Sequence, residues 1–129
     1  MTACRRTIPL VALVIVCSLL TSCVGRLHQE PVPHDIGLLL FERRIDGAGP
    51  APNIVKVYLT NIGTTPRTDD IPIFEGQDMD KICYKWNNKN ELHIRNSDGF
   101  VDRISQKWGD GKGRTVKLVF DGTNDCSWK

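Results

Sequence analysis

The sequence predicts a small all-β domain, either an antiparallel sandwich or an open barrel of about five to seven short strands built from hairpins. Short runs of β-branched and aromatic residues recur along the chain after residue 35. Clusters of Gly, Pro, Asn and Asp separate these runs and mark turns. No good helix pattern interrupts them. With 129 residues in all, the chain has room for one domain.

The first predicted hairpin joins two apolar runs across a loop rich in glycine and proline. Ile36 to Phe41 is a nearly continuous apolar run, and Ile54 to Leu59 has the composition of a strand. Between them, Asp46 to Pro52 contains two glycines and two prolines, which the interior of a helix or strand does not tolerate. We therefore expect the two runs to pair as antiparallel strands.

The clearest hairpin signal lies further along the chain, between residues 81 and 95. Lys81 to Trp86 alternates between apolar and other residues, so that Cys83 and Lys85 share the face opposite the large apolar side chains. Asn87 to Asn90 is a turn, because Asn tolerates left-handed backbone. Glu91 to Arg95 then alternates again. This pattern predicts a second antiparallel pair.

Three further segments complete the predicted sheet. Ile71 to Phe74 is short, and Pro72 confines it to an edge. Phe100 to Trp108 fits either a helical stripe or a strand face, and the turns on both sides favour a strand. Thr115 to Phe120 is a strand with apolar residues on one face.

The N-terminus has the organisation of a secretory signal. Arg5 and Arg6 precede an apolar run from Thr7 to Leu20. The run is shorter than the roughly 20 apolar residues of a comfortable transmembrane span. An uncleaved anchor helix is the alternative. We predict that residues 1–22 are a cleaved signal peptide.

The signal ends in Leu20-Thr21-Ser22-Cys23, which resembles the lipobox of bacterial lipoproteins. In that motif a branched apolar residue and two small residues precede the cysteine. The resemblance implies that Cys23 becomes the first mature residue and carries a thioether-linked diacylglycerol, with an amide-linked acyl chain. Cys17 is the poorer candidate, because Val16 stands before it where a small residue is needed.

Lipidation of Cys23 would make the protein a membrane-anchored palmitoylated lipoprotein. Two or more acyl chains hold a protein firmly on a bilayer, whereas one chain binds reversibly. Val24 follows the cysteine, where an Asp would signal retention in the inner membrane. The resemblance therefore implies a location in the cell envelope, on the outer membrane facing the periplasm if the source is Gram-negative.

A tether is expected between the lipid and the domain. We predict that residues 23–34 form the lipidated N-terminus and an extended leash, because Pro31 and Pro33 lack backbone donors for a sheet. Such a leash would lift the domain roughly 30 Å off the bilayer. An edge strand is the alternative, which these prolines disfavour. Residues 35–129 are then a single small β domain.

The charge balance argues against nucleic acid as a partner. The chain carries 17 Lys and Arg against 15 Asp and Glu, and Arg5 and Arg6 account for the whole excess. The mature domain is therefore neutral, without the positive field that binds phosphate backbones or anionic lipids. The expected partners are the membrane, through the lipid on Cys23, and an envelope protein or peptidoglycan.

The mature part also resembles a group of small secreted or lipid-anchored bacterial proteins without assigned function. The shared features are a strand ending in Phe41-Glu42-Arg43, the pattern Trp86-x5-Leu92-x-Ile94 and a closing strand of Val, Leu and Phe. The resemblance spans residues 36–120. It implies a similar fold and brings no activity with it.

The predicted mature chain keeps three of the five cysteines, and two remain once Cys23 is lipidated. Cys83 and Cys126 form one even pair in an oxidising compartment, which predicts a disulfide. A redox or metal pair is the alternative. Their long separation and the absence of a Cys-x-x-Cys motif argue against it.

Catalytic and metal signals are weak. His28 and His34 fall in the expected tether, and His93 lies between Leu92 and Ile94 on the outer face of a strand. Their spacing does not match a zinc site, and no orienting acid for a catalytic triad can be identified. We therefore expect no metal, no cofactor and no catalytic residue. The sequence favours a non-catalytic binding or structural module, ahead of an inhibitor or accessory factor of an envelope enzyme such as a lysozyme, and of a hydrolase.

Overall fold

A computed structural model describes residues 26–47, 49–122 and 126–128 of the chain. Over these residues the protein forms nine β-strands and one short 3-10 turn, His34–Ile36. The strands are β1 Arg26–Glu30, β2 Leu38–Ile45, β3 Ile54–Asn61, β4 Phe74–Gln77, β5 Ile82–Asn88, β6 Glu91–Asn96, β7 Phe100–Ile104, β8 Lys107–Gly109 and β9 Thr115–Phe120. No helix in this part of the chain is long and apolar enough to cross a membrane.

In the described residues the strands form two open sheets, which confirms the predicted all-β sandwich. The five-stranded sheet has the order β1-β2-β3-β4-β7 and is antiparallel throughout. The four-stranded sheet has the order β5-β6-β9-β8. In it β6 and β9 run parallel, because the chain leaves this sheet after β6, adds β7 to the other sheet and returns through β8.

Both predicted hairpins are confirmed. β2 and β3 pair over their whole length, from Leu38 opposite Asn61 to Ile45 opposite Ile54. β5 and β6 pair across the asparagine turn, with Trp86 opposite Leu92. In each hairpin the alternation of side chains sends one apolar row toward the opposite sheet.

The inner faces of the two sheets meet in an aliphatic core. Alternate residues of each strand point inward, so that one face of every long strand is buried. The most deeply buried side chains are Leu38, Leu40, Val55, Val57, Phe74, Leu92, Ile94 and Val116. Both sheets supply this set, so burial of apolar surface is what holds them together.

Residues 26–30 differ from the expected tether. They form β1, an edge strand that pairs with β2 from Arg26 opposite Arg44 to Glu30 opposite Leu40. Pro31 and Pro33 follow the last residue of β1 and therefore remove no hydrogen bond from the ladder. The folded domain begins at least as early as residue 26, ahead of the predicted boundary at residue 35.

Pro72 likewise lies outside a strand, which corrects the predicted edge position of residues 71–74. β4 begins at Phe74 and lies between β3 and β7. The Ile73 amide donates to the Val57 carbonyl at 2.8 Å, so regular pairing starts just after the proline.

The segment from Phe100 to Trp108 is β structure, as favoured over a helix, yet it is divided between the two sheets. Ser105 and Gln106 make the crossing between β7 and β8. The Ser105 amide donates to the Ile73 carbonyl at 2.9 Å, and the Gln106 carbonyl accepts from the Leu118 amide at 2.9 Å. The chain thus passes from the five-stranded sheet to the four-stranded sheet within two residues.

The turn between β6 and β7 depends on glycine. Gly99 has φ +79°, a region that L side chains rarely adopt. A Cβ at this position would meet the carbonyl oxygen of Gln77 and lie 2.8 Å from that of Asp78. This packing fixes where β7 starts and where the exposed Phe100 stands.

Candidate functional site

A cleft of about 650 Å³ opens where the edge strands of the two sheets diverge. β1 and β2 form its wall on the five-stranded sheet, and the start of β5 forms the wall on the four-stranded sheet. Its lining carries charged groups of both signs: His28, Glu30, Glu42, Arg44, Asp46, Lys81 and Ile82.

The period of the β2 strand places Glu42 and Arg44 in this cleft. Leu38 and Leu40 occupy the inward face of β2 in the core, and Glu42 and Arg44 continue the same row toward the end of the strand. His28 lies directly opposite Glu42 on β1. The cleft is therefore the polar end of the sandwich interior, where the aliphatic core stops.

The Glu42 carboxylate is the central group of the cleft. Glu42 is 6% exposed, and both of its oxygens accept hydrogen bonds. Oε1 accepts from Arg44 Nε at 2.7 Å, and Oε2 accepts from the Tyr84 hydroxyl at 3.0 Å. A buried carboxylate needs such partners, because leaving it unpaired away from water is costly.

Tyr84 and Arg44 connect Glu42 to the second sheet. Burial of the Tyr84 hydroxyl, and then the Glu42 carboxylate beside it, raise the pKa of Tyr84 well above its ordinary value. Tyr84 therefore stays a hydrogen-bond donor at neutral pH. Arg44 also donates to the carbonyls of Met79 at 3.1 Å and Asp80 at 3.2 Å, which precede β5.

The polar groups at the centre of the cleft are bonded to one another, and those at its mouth are exposed. Glu42 has both oxygens engaged, and Tyr84 holds its proton tightly, so neither group is poised as a general base. On the outer wall, His28 Nε2 lies 3.4 Å from Glu30 Oε1, with the histidine side chain 70% exposed. The fixed guanidinium of Arg44 and the exposed Lys81 are available to a ligand.

Sequence reasoning missed Glu42, Tyr84 and Arg44 as partners. The sequence pattern places His28 in the tether, and the predicted apolar run of residues 36–41 ends just before Glu42. A signal was present, since Glu42 lies two residues after Leu40 on the inward face of β2. A charged residue in that position requires a partner across the sandwich.

The second notable cluster is the C-terminal tail on the outer face of the four-stranded sheet. The structure joins Cys83 and Cys126 in a disulfide, with their Cα atoms 5.7 Å apart. Cys83 points outward with Lys85, as its alternation predicts. The Ser127 carbonyl accepts a hydrogen bond from Arg95, so the described end of the chain follows this face.

Trp128 packs on cationic side chains. The Arg95 guanidinium lies 4.2 Å from the centre of the Trp128 ring, and Lys85 Nζ lies 5.6 Å from it. Arg95 also pairs with Asp121 at 2.5 Å. Trp128 is half-buried as a result.

His93 belongs to this outer face and not to the cleft. Its Nε2 lies 2.6 Å from Glu91 Oε1, and its ring meets Trp128 edge-on at 6.3 Å. The hydrogen bond with His93, and then that from Asn87, lower the pKa of Glu91. Among the described residues, no group of three His, Cys, Asp or Glu side chains is placed to hold a metal ion.

No protein-family model matches the chain, and no curated protein or solved structure is significantly similar to it. The predicted lipidation site Cys23 and the signal peptide, residues 1–22, lie outside the described residues.

Replacing Tyr84 with Phe tests the bond between the two sheets. Tyr84→Phe leaves Glu42 Oε2 without its donor in a buried position, so we expect the free energy of unfolding to fall by about 1–3 kcal/mol. Urea denaturation provides the measurement. Tyr58→Phe is the matched control, because Tyr58 is buried on the outer face of the other sheet, and we expect a smaller loss. Equal stabilities for Tyr84→Phe and the native protein would contradict the role assigned to this bond.

Breaking the disulfide tests the hold on the tail. The bond joins residues separated by 43 positions, and closing such a loop stabilises a fold by about 4 kcal/mol in the chain-entropy model. We expect Cys83→Ser and Cys126→Ser to lower Tm markedly and equally, and reductant to do the same to the native protein. Trp128→Ala should lower Tm less, because it leaves the disulfide in place. Two free thiols found by mass spectrometry in unreduced protein would refute the pairing.

Proposed function

We propose that this protein is a lipid-anchored component of a bacterial cell envelope that binds its partner without catalysing a reaction. The observation that carries the binding role is the buried Glu42 carboxylate, held on one side by Arg44 and on the other by Tyr84. It organises a cleft of fixed shape. Preorganised polar groups of this kind favour binding, because they lose little conformational freedom when a ligand arrives.

The charges of the cleft indicate the chemistry of its partner. Glu30 and Asp46 are negative, whereas Arg44 and Lys81 are positive, and all four line the same opening. A partner that carries both carboxylates and amines would satisfy both sets. The peptide portions of peptidoglycan have this character, and we favour peptidoglycan over a protein partner for that reason.

The membrane anchor rests on the lipobox resemblance of Leu20 to Cys23. Its position at the end of an apolar signal supports cleavage before Cys23 and lipidation of that thiol. Val24 supports the outer membrane, facing the periplasm, as the destination in a Gram-negative source. An anchor of two or three acyl chains would keep the cleft within the envelope permanently.

Replacing Cys23 tests the anchor. We expect Cys23→Ala to abolish metabolic labelling with radioactive palmitate and to leave an unprocessed precursor, because alanine has no thiol to alkylate. Cys17→Ala is the matched control and should be labelled and processed like the native protein. Normal labelling and maturation of Cys23→Ala would rule out the lipoprotein assignment.

Charge reversal at the cleft tests the binding role. We expect Lys81→Glu to weaken binding to peptidoglycan fragments by about tenfold, since an attractive charge becomes repulsive. Lys112→Glu makes the same change at an exposed site on the β8–β9 hairpin and should bind normally. Isothermal titration calorimetry with purified fragments gives both affinities. Equal affinity in Lys81→Glu and Lys112→Glu would exclude the cleft as the site.

A further inference from the structure

The start of β1 leaves little chain between the predicted lipid and the folded domain. Arg26 is already paired with Arg44 of β2. Only Val24 and Gly25 separate it from Cys23. A fully extended chain covers at most about 3.6 Å per residue, so the Cα atoms of Cys23 and Arg26 are at most about 11 Å apart. A leash of roughly 30 Å is therefore not available.

Strand register shows which end of the domain lies closest to the lipid. β1 begins opposite Arg44, near the end of β2, and the loop from β2 to β3 leaves the sheet at the same end. Further across this sheet, Gln77 at the end of β4 pairs with Phe100 at the start of β7. The start of β1, the β2–β3 loop and Phe100 thus mark one end of the sandwich, which we call the anchor end.

The anchor end exposes apolar groups that the core does not use. The Phe100 side chain is 72% exposed. The β2–β3 loop presents Pro50, Ala51 and Pro52 to solvent. Scattered apolar residues are normal on a protein surface. These residues, however, lie at the end of the domain that the lipid on Cys23 would hold next to the bilayer.

Hydrogen bonds hold the loops of the anchor end in place. Asn53, at the base of the β2–β3 loop, accepts from the Gly47 amide at 3.1 Å through its side chain. Its backbone carbonyl accepts from the Asp78 amide at 2.9 Å. Asp98 in turn accepts from the Asp80 amide at 2.9 Å, which joins the β4–β5 loop to the β6–β7 turn. Phe100 therefore follows a turn that hydrogen bonds hold in place.

Charge does not draw this end toward anionic lipid. Its loops and strand ends carry four carboxylates and three basic residues, which are Asp46, Asp78, Asp80, Asp98, Arg26, Arg44 and Lys81. The balance is slightly negative. Contact with a membrane must therefore come from the lipid anchor and the apolar groups, since electrostatic attraction is absent.

We propose that the anchor end rests directly on the bilayer, with Phe100 and the β2–β3 loop in contact with the lipid interface. This inference rests on the proposed lipidation of Cys23 and specifies how the anchored domain is oriented. Phe is among the apolar side chains that membrane-surface segments bury about 5–10 Å into the boundary between headgroups and acyl chains. The strands then rise from the membrane. The cleft, which runs from Arg44 and Lys81 at this end to Glu30 further along β1, opens beside the bilayer between the edge strands β1 and β5.

The opposite end supplies the comparison. Ile62 is 60% exposed and follows β3 at the end where Leu38 pairs with Asn61. β2 and β3 are eight residues long. At about 3.3 Å per residue they keep this end roughly 26 Å from the anchor end. Ile62 is thus an exposed apolar residue beyond the reach of the bilayer.

Site-directed fluorescence on the lipidated protein tests the orientation. A single thiol is introduced as Phe100→Cys or as Ala51→Cys at the anchor end, or as Ile62→Cys at the opposite end. Each is labelled with an environment-sensitive dye, and the protein is reconstituted in phosphatidylcholine vesicles containing doxyl-labelled lipid. We expect quenching at residues 100 and 51 to be several-fold greater than at residue 62. Addition of phosphatidylglycerol should not increase it.

The outcomes separate this inference from the proposed function. Mass spectrometry of the same samples reports the lipid on Cys23, and its absence overturns both. A lipidated Cys23 with equal quenching at residues 100, 51 and 62 overturns the orientation and leaves the anchor standing. A strict requirement for phosphatidylglycerol would also overturn the apolar contact. Two probes at the anchor end guard against a local effect of either substitution.

Discussion

The hydrogen-bonded Glu42 carboxylate is the constraint on which the cleft end of this structure depends. It lies on the inward face of β2, two residues after Leu40, and is 6% exposed. A carboxylate in that position is tolerated only if both oxygens find donors, because desolvation of an ionised group costs several kcal/mol. Arg44 supplies one donor from the same strand. Tyr84 supplies the other from the opposite sheet and thereby fixes the distance between the sheets.

Arg44 connects Glu42 to the β4–β5 loop. The terminal nitrogens of Arg44 bond to the carbonyls of Met79 and Asp80. Met79 is itself 3% exposed and lies against Gly76 and Gly99, where larger side chains would collide with it. The loop is therefore held by packing on one side and by a guanidinium on the other. The same contacts shape the wall of the cleft and set the position of the turn before Phe100.

Much of the fold could be predicted because its signals are local. The alternation in β5 and β6 identifies a hairpin, and it places Leu92 and Ile94 in the core without knowledge of any distant residue. The Cys83–Cys126 pair is predicted by cysteine parity, because it is the one pair left when the predicted signal peptide and the predicted lipidation site Cys23 are set aside. Such features depend on the sequence period and on residue counts alone.

What could not be predicted depends on partners distant in sequence. β1 contains one apolar side chain, Leu27, among polar residues, so its pairing with β2 has no local signature. The parallel pairing of β6 with β9 arises because the chain between them adds β7 to the other sheet and returns through β8. Glu42 and Tyr84 are 42 positions apart, and nothing in either neighbourhood marks them as a pair. Non-local contacts of this kind determine both the inclusion of β1 in the domain and the position of the cleft.

Three polar links do what the aliphatic core cannot. Burial of Leu and Val side chains is non-directional, so it draws the sheets together without fixing how one is rotated on the other. Arg44 and the Glu42–Tyr84 bond set that relationship at the cleft end. Arg114, just before β9, sets it at the other end by donating to the carbonyls of Ile36 and Lys89. Because guanidinium groups bond to carbonyls in defined directions, the sandwich is fixed at both ends. A cleft that opens between the sheets can keep its shape only under that condition.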